Sequence, residues 1–213
     1  RQRQMCIRDR EWGGTMNFHE IIQNSKNGEL RIKAIPEVLD YFSKEIELKK
    51  ETLYNCKMVQ AQDGVSVESD TLGALLYPLE GDTFALDMVI KPERYHEFGI
   101  ALHVDKELET GYFLRMNPKN QLVAWDMWPR GEQGRYQWQI KGDVPYQIET
   151  ARKLPKAEEY RVHIIKEKDI CVVYINDEIV LSTRMYNHKD GYAGIYVVQG
   201  NVKLIQYKEK RSE

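Results

Sequence analysis

The sequence predicts an all-β chain, an antiparallel two-sheet sandwich preceded by a short hairpin and one connector helix, and three observations predict it. From Phe84 to the C-terminus apolar residues alternate with polar ones at a period of two, which is the pattern of half-buried strands. Turn-forming residues recur roughly every 8 to 12 positions between those runs, the spacing of a sandwich or barrel. After Phe84 no stretch shows a helical period or an alternation of strands with helices.

In chain order, RQRQMCIRDR at residues 1–10 fits neither a helix nor a strand period, and no apolar run follows it to make a signal peptide. Its codons can be written as the adapter of a transposase-based sequencing-library method, so it is read as translated adapter rather than as a basic arm for nucleic acid or membrane. An adapter joined in frame predicts that the coding sequence continues upstream. Without those residues the 31 basic and 33 acidic side chains lose four Arg and one Asp, leaving 27 against 32. A chain about five charges negative disfavours nucleic acid, which needs a clustered basic face. No apolar run has membrane-spanning length. Cys56 and Cys171 remain; two cysteines make no disulfide framework, read best as buried apolar residues, and favour a reducing, cytoplasmic compartment only weakly.

NFHEIIQ and ELRIKAI then predict two short strands joined through the Ser25–Gly28 hairpin signal. Pro36 stands at a favourable first helical position, and Val38, Leu39, Phe42 and Ile46 near one face predict a short helix. The charge run KEIELKKE from Lys44 is its solvated end or a linker. In FALDMVIK, Phe84, Leu86, Met88 and Ile90 share a face. In FGIALHVD the inward set is Phe98, Ile100, Leu102 and Val104, with Ala101, His103 and Asp105 opposite. GYFLRMNPKNQLVAWDMW predicts a hairpin around Asn117–Asn120. Further turns are expected at Lys168–Asp169, at Asn176–Asp177 and, as a tight hairpin, at Gly200–Asn201.

The wording of these strands carries a resemblance. GYFLRMNPKNQLVAWDMWPR, followed by YRVHIIKEKDICVVYINDEIVLSTRMYNHKDGYAGIYVVQGNVKL, resembles the C-terminal β-sandwich domain of glycoside hydrolase family 32, the invertase, levanase and inulinase group. EWGGTMNFHEIIQNSKNGELRIKAIPE looks like that family's exit from its catalytic propeller. The resemblance implies a concanavalin-like or lectin-like sandwich at residues 51–213, a helical connector at 36–50 and the tail of a β-propeller at 11–35, behind the adapter at 1–10. It implies a bacterial parent enzyme that hydrolyses β-fructosyl bonds of sucrose or fructans with retention, using two carboxyl groups roughly 5 Å apart. It also implies a sandwich that stabilises the propeller and contributes to a homodimer.

The family's Asn-Asp-Pro, Arg-Asp-Pro and Glu-Cys motifs do not occur here. Arg8-Asp9-Arg10 lacks the proline, and Asn176-Asp177-Glu178 falls in an expected turn. No residue is therefore assigned a catalytic, cofactor or metal role, no cofactor is expected, and this chain alone is expected to be inactive. Trp125, Trp128, Arg130 and Trp138, with Tyr136, mark an aromatic segment suited to sugar or to an inter-domain contact. A free-standing carbohydrate-binding, lectin-like module using that segment is the alternative. His103 and Asp105, near His96 and Glu97, fit a solvated sheet face better than a metal site. His163 reads as a surface histidine, and His19 and Glu20, pointing to opposite faces of a strand, as structural.

Overall fold

The computed structural model describes residues 17–128 and 146–212. The chain enters through a hairpin, β1 (Glu20–Gln23) and β2 (Leu30–Lys33), paired from Glu20 with Lys33 to Gln23 with Leu30. A six-residue helix follows, α1 (Pro36–Tyr41), with proline in its first turn. Then come β3 (Lys44–Ile46), β4 (Thr52–Tyr54), β5 (Lys57–Ala61), β6 (Gly64–Leu79), β7 (Thr83–Arg94), β8 (Glu97–Val104), β9 (Gly111–Asn117) and β10 (Leu122–Trp128). The remaining strands are β11 (Tyr146–Arg152), β12 (Tyr160–Glu167), β13 (Ile170–Ile175), β14 (Ile179–Arg184) and β15 (Gly191–Arg211).

Strands β3 to β15 form one antiparallel network folded into two layers. Sheet I runs β11–β10–β9–β8, then residues 191–198 of β15, residues 72–79 of β6, and β4. Sheet II runs β5, residues 64–69 of β6, residues 201–211 of β15, then β7–β12–β13–β14. The two longest strands thus belong to both layers, and a bulge turns each from one to the other, as strands do at sandwich corners. Gln199 adopts φ 49° there, and the register of β15 on β6 shifts between Val198 and Gly200. A Cβ on Gly200 would stand 1.9 Å from the Arg94 carbonyl oxygen, so only glycine fits. Inward residues of the layers make one core, Leu75, Ile100, Leu114 and Trp125 from sheet I against Leu86, Ile164, Val173 and Leu181 from sheet II. The fold class is the expected one.

Four local expectations are corrected. Gly200–Asn201 is no hairpin turn but the bend inside β15. The helix stops at Tyr41, because Lys44–Ile46 is drawn into the sheet against Glu209–Arg211, and Glu45 binds Lys208 at 2.8 Å. Sheet pairing overrides a helical pattern that lacks a side-chain cap. His103, expected on a solvated face, is 1% exposed. Val104, expected inward, packs instead in the cluster on the outer face of sheet I. One bulge explains both, since His103 has φ 52° and is the extra residue between Leu102, opposite Ala193, and Val104, opposite Tyr192.

The expected turns at Asn117–Asn120, Lys168–Asp169 and Asn176–Asp177 are present. Asn117 Oδ1 accepts the Asn120 N–H at 3.1 Å, and Lys168, Asn176 and Asp177 take positive φ. The N-terminal segment lies across the outer face of sheet II as a strap. Its Ala34 and Phe42 pack with Ala85, Ile165, Val172 and Tyr174. His19 binds the Tyr174 hydroxyl at 2.9 Å and Ser182 Oγ at 3.3 Å, and Arg31 pairs with Glu178 at 3.5 Å. His19 therefore serves the strap's docking.

Candidate functional site

The outer face of sheet I carries a polar cluster on a floor of small residues. One line of cross-strand partners runs Tyr54, Ala74, Tyr196, Gly99, Arg115, Ala124, Thr150. The adjacent line runs Leu76, Gly194, Ala101, Phe113, Asp126. Directly opposed residues share a face, so these side chains are neighbours. Gly99 sits between Tyr196 and Arg115; a Cβ there would meet the Leu114 carbonyl at 1.9 Å and the Tyr196 ring at 2.8 Å. The ring lies over bare backbone and reaches Glu97, whose Oε1 accepts the Tyr196 hydroxyl at 3.1 Å. Phe113 meets the Tyr196 ring edge-on at 5.7 Å between centroids.

Arg115 stands between two carboxylates. Its Nη2 is 3.2 Å from Asp126 Oδ2 and its Nε is 4.0 Å from Glu97 Oε2. That longer distance is no hydrogen bond, and the buried Nε has no hydrogen-bond partner. One guanidinium cannot compensate two partly desolvated carboxylates, so the cluster is one charge negative. Burial pushes both acids up; for Glu97 the nearby Asp126 adds to the rise while Arg115 and Tyr196 oppose it, and for Asp126 Arg115 opposes. Burial, and then Glu97, push the Tyr196 phenol well above its usual range.

Sheet II shows the reverse arrangement beside its strap. Asp87 accepts from His163 Nδ1 at 2.6 Å and from Lys210 Nζ at 2.5 Å. Burial pushes its carboxyl up, but the hydrogen bonds and charges of those two partners prevail and hold it below the usual value. A pocket of about 300 Å³ next to it is lined by Glu159, Arg161, His163, Asn176 and Asp177.

Of the residues singled out from sequence, Trp125 is fully buried in the core, so it offers no surface to a sugar or a neighbouring domain. Trp128 lies two residues from Asp126 on the outward side of β10 and is half-buried; its cross-strand partner is Gly111, which has no side chain to cover the indole. Arg130, Tyr136 and Trp138 lie outside the described residues. His103 faces Phe84 in the core at 5.6 Å between ring centroids, away from Glu97. Burial, then Lys166 and His188, lower it to about 3. Asp105 is engaged by the N–H groups of Glu107, Glu109 and Thr110 in its own loop. No three His, Cys, Asp or Glu side chains converge on a metal position among the described residues.

His163 is partly exposed and paired with Asp87. Cys171 is buried, its thiol pushed up to about 12 by burial, and Cys56 is half-buried; neither is in a disulfide. The sequence reading missed Arg115, Asp126 and Tyr196. The available signal was polar residues at outward positions of apolar strands, Asp126 within AWDMW above all.

No family model matches the sequence, and no curated protein matches it. Solved structures match the fold. Carbohydrate-binding module CBM66 from Bacillus subtilis superposes with TM-score 0.64 at 16% identity, covering 77% of this chain and 97% of the module. The exo-inulinase from Aspergillus awamori gives 0.57 at 12% identity over 92% of this chain and 35% of the enzyme. The β-fructofuranosidase from Aspergillus kawachii gives 0.53 at 9% identity over 92% and 33%. The chain thus spans about a third of the length of the two enzymes, sharing the fold of their C-terminal β-sandwich region. At these identities the likeness is one of fold.

Proposed function

We propose that this chain is the C-terminal, non-catalytic sandwich of a carbohydrate-cleaving enzyme of the glycoside hydrolase family 32 type, whose catalytic propeller, acting on sucrose or a fructan, is encoded upstream. The strap carries the reading. A sandwich needs no such segment to close its core, yet the matches to the two enzymes cover 92% of the chain. The uncovered 8% is shorter than the stretch from Glu20 to Tyr41, so those matches take in at least part of that stretch. The match to the free binding module covers 77% of the chain. The strap also presents apolar side chains outward: Phe18, Ile21 and Leu30 are 67%, 65% and 64% exposed. Apolar surface of that kind suits a neighbouring domain. The sandwich would then keep the propeller folded and contribute to a dimer.

Sequencing the source DNA upstream of the Trp12 codon tests this. The expected result is an open frame of propeller length carrying Asn-Asp-Pro, Arg-Asp-Pro and Glu-Cys, whose joined product releases fructose from sucrose while the present chain alone does not. A natural start codon just before Trp12 would sink the reading, and the free-standing carbohydrate-binding module would take its place.

A further inference from the structure

We propose that the outer face of sheet I binds the end of a neutral sugar chain, with Arg115 and Asp126 taking adjacent hydroxyl groups and the Trp128 indole lying against the ring. The site stands whether or not a propeller accompanies the chain; only the choice of a fructosyl sugar rests on the function proposed above.

As a structural device the cluster is poor. Partly buried ion pairs rarely repay their desolvation, and this one leaves a carboxylate uncompensated and a guanidinium nitrogen without a hydrogen bond. Local rules broken in this way mark binding and catalytic sites. The groups also suit a polyol. A guanidinium donates from a planar fork, a carboxylate accepts at two oxygens, and neighbouring ring hydroxyls both donate and accept. Tyr196 and Gly99 fix Glu97 from below, and Asp126 fixes the fork from the side, so the polar atoms are held before a ligand arrives. Gly99, Ala101, Ala124 and Gly194 are buried beneath this layer, and the half-buried Phe113 and Trp128 beside Arg115 supply apolar surface for the C–H face of a sugar ring. The net negative charge disfavours anions, which excludes sugar phosphates and acidic sugars.

The experiment is calorimetric titration of the whole chain with inulin and levan oligosaccharides, sucrose 6-phosphate and a maltooligosaccharide, each repeated on Trp128→Ala, Arg115→Lys and Asp126→Asn. The neutral fructosyl oligosaccharides are expected to bind, with affinity falling roughly tenfold or more in Trp128→Ala and Arg115→Lys. Trp128 is outside the core, so its variant is expected to melt with the parent and separates lost binding from lost folding. Sucrose 6-phosphate is expected not to bind. Binding of the maltooligosaccharide alone, abolished by the same variants, would uphold the site and count against the fructosyl reading. No neutral sugar bound at millimolar concentration, or binding that survives both Trp128→Ala and Arg115→Lys, overturns the proposal.

Discussion

The two outer faces of this sandwich are built from the same kind of strand and are finished in opposite ways. On sheet II the row Ala85, Ile165, Val172 and the Tyr174 ring is apolar, and the strap seals it with Ala34 and Phe42. On sheet I the outward face carries its own apolar cluster of Ala74, Leu76, Ala101, Val104, Leu108 and Tyr196, and beside it the charged group of Glu97, Arg115 and Asp126. The contrast extends to charge. On sheet II one carboxylate is served by a lysine ammonium and a histidine ring nitrogen, and on sheet I two carboxylates share one cation. The first arrangement is what stability favours. The second costs stability and is the place to look for a ligand.

The largest effect expected is that of Gly99→Ala. The added methyl would stand 1.9 Å from the Leu114 carbonyl and 2.8 Å from the Tyr196 ring. Backbone cannot retreat as a side chain can, so strand β8 must part from β9, at a cost of at least about 3 kcal/mol in urea denaturation. A variant as stable as the parent would show that the floor of sheet I can shift, and the close fit of Tyr196 over Gly99 would lose its meaning.

Next in size is Phe42→Ala. Phe42 is 3% exposed and is the largest apolar side chain by which the strap holds sheet II. Emptying its place should cost about 2 to 4 kcal/mol, and the loss should be local. Hydrogen exchange is expected to quicken in β1, β2 and the β13–β14 edge while the amides of β8 and β9 stay protected. Uniform loss of protection would mean that the strap is part of the global core and not a separately docked segment.

How much of this contrast was legible in the sequence follows from which interactions are local. Alternation and turn residues are local, so the first hairpin, most of the strands after Phe84 and three of the later turns could be read directly, whereas β3 to β6, the long β6 among them, were not. Gly200–Asn201 looks like a hairpin pair because the same backbone freedom serves a turn and a bulge; what decides between them is β6 on the far side, which no local pattern reveals. His103 and Val104 exchanged faces for the same reason. At the candidate site Trp128 stood out by residue type, but Arg115, Asp126, Glu97 and Tyr196 come from four strands and meet only through register. Trp125 was drawn along with Trp128 by proximity in sequence, although one step along a strand turns a side chain from surface to core.

The subtlest test uses protons. Asp87, with His163 and Lys210 on its two oxygens, has its folded pKa depressed. Its ionised form therefore adds stability that is fully present above the ordinary aspartate range and is lost as pH falls through the folded value. Glu97 and Asp126 have folded pKa values raised by burial that Arg115 does not offset. The folded state there holds protons that the unfolded chain has released, so their contribution falls as pH rises from the ordinary carboxylate range through the raised values. Carboxyl-carbon NMR on acidification should show Glu97 and Asp126 protonating first, as a coupled pair, and Asp87 last. Lys210→Met should move Asp87 up without touching Glu97, whereas Arg115→Met should move Glu97 and Asp126 further up and leave Asp87 alone. If instead Asp87 protonated before the sheet I pair, charge compensation would not distinguish the two faces, and the cluster's imbalance would no longer mark sheet I as the side that waits for a ligand.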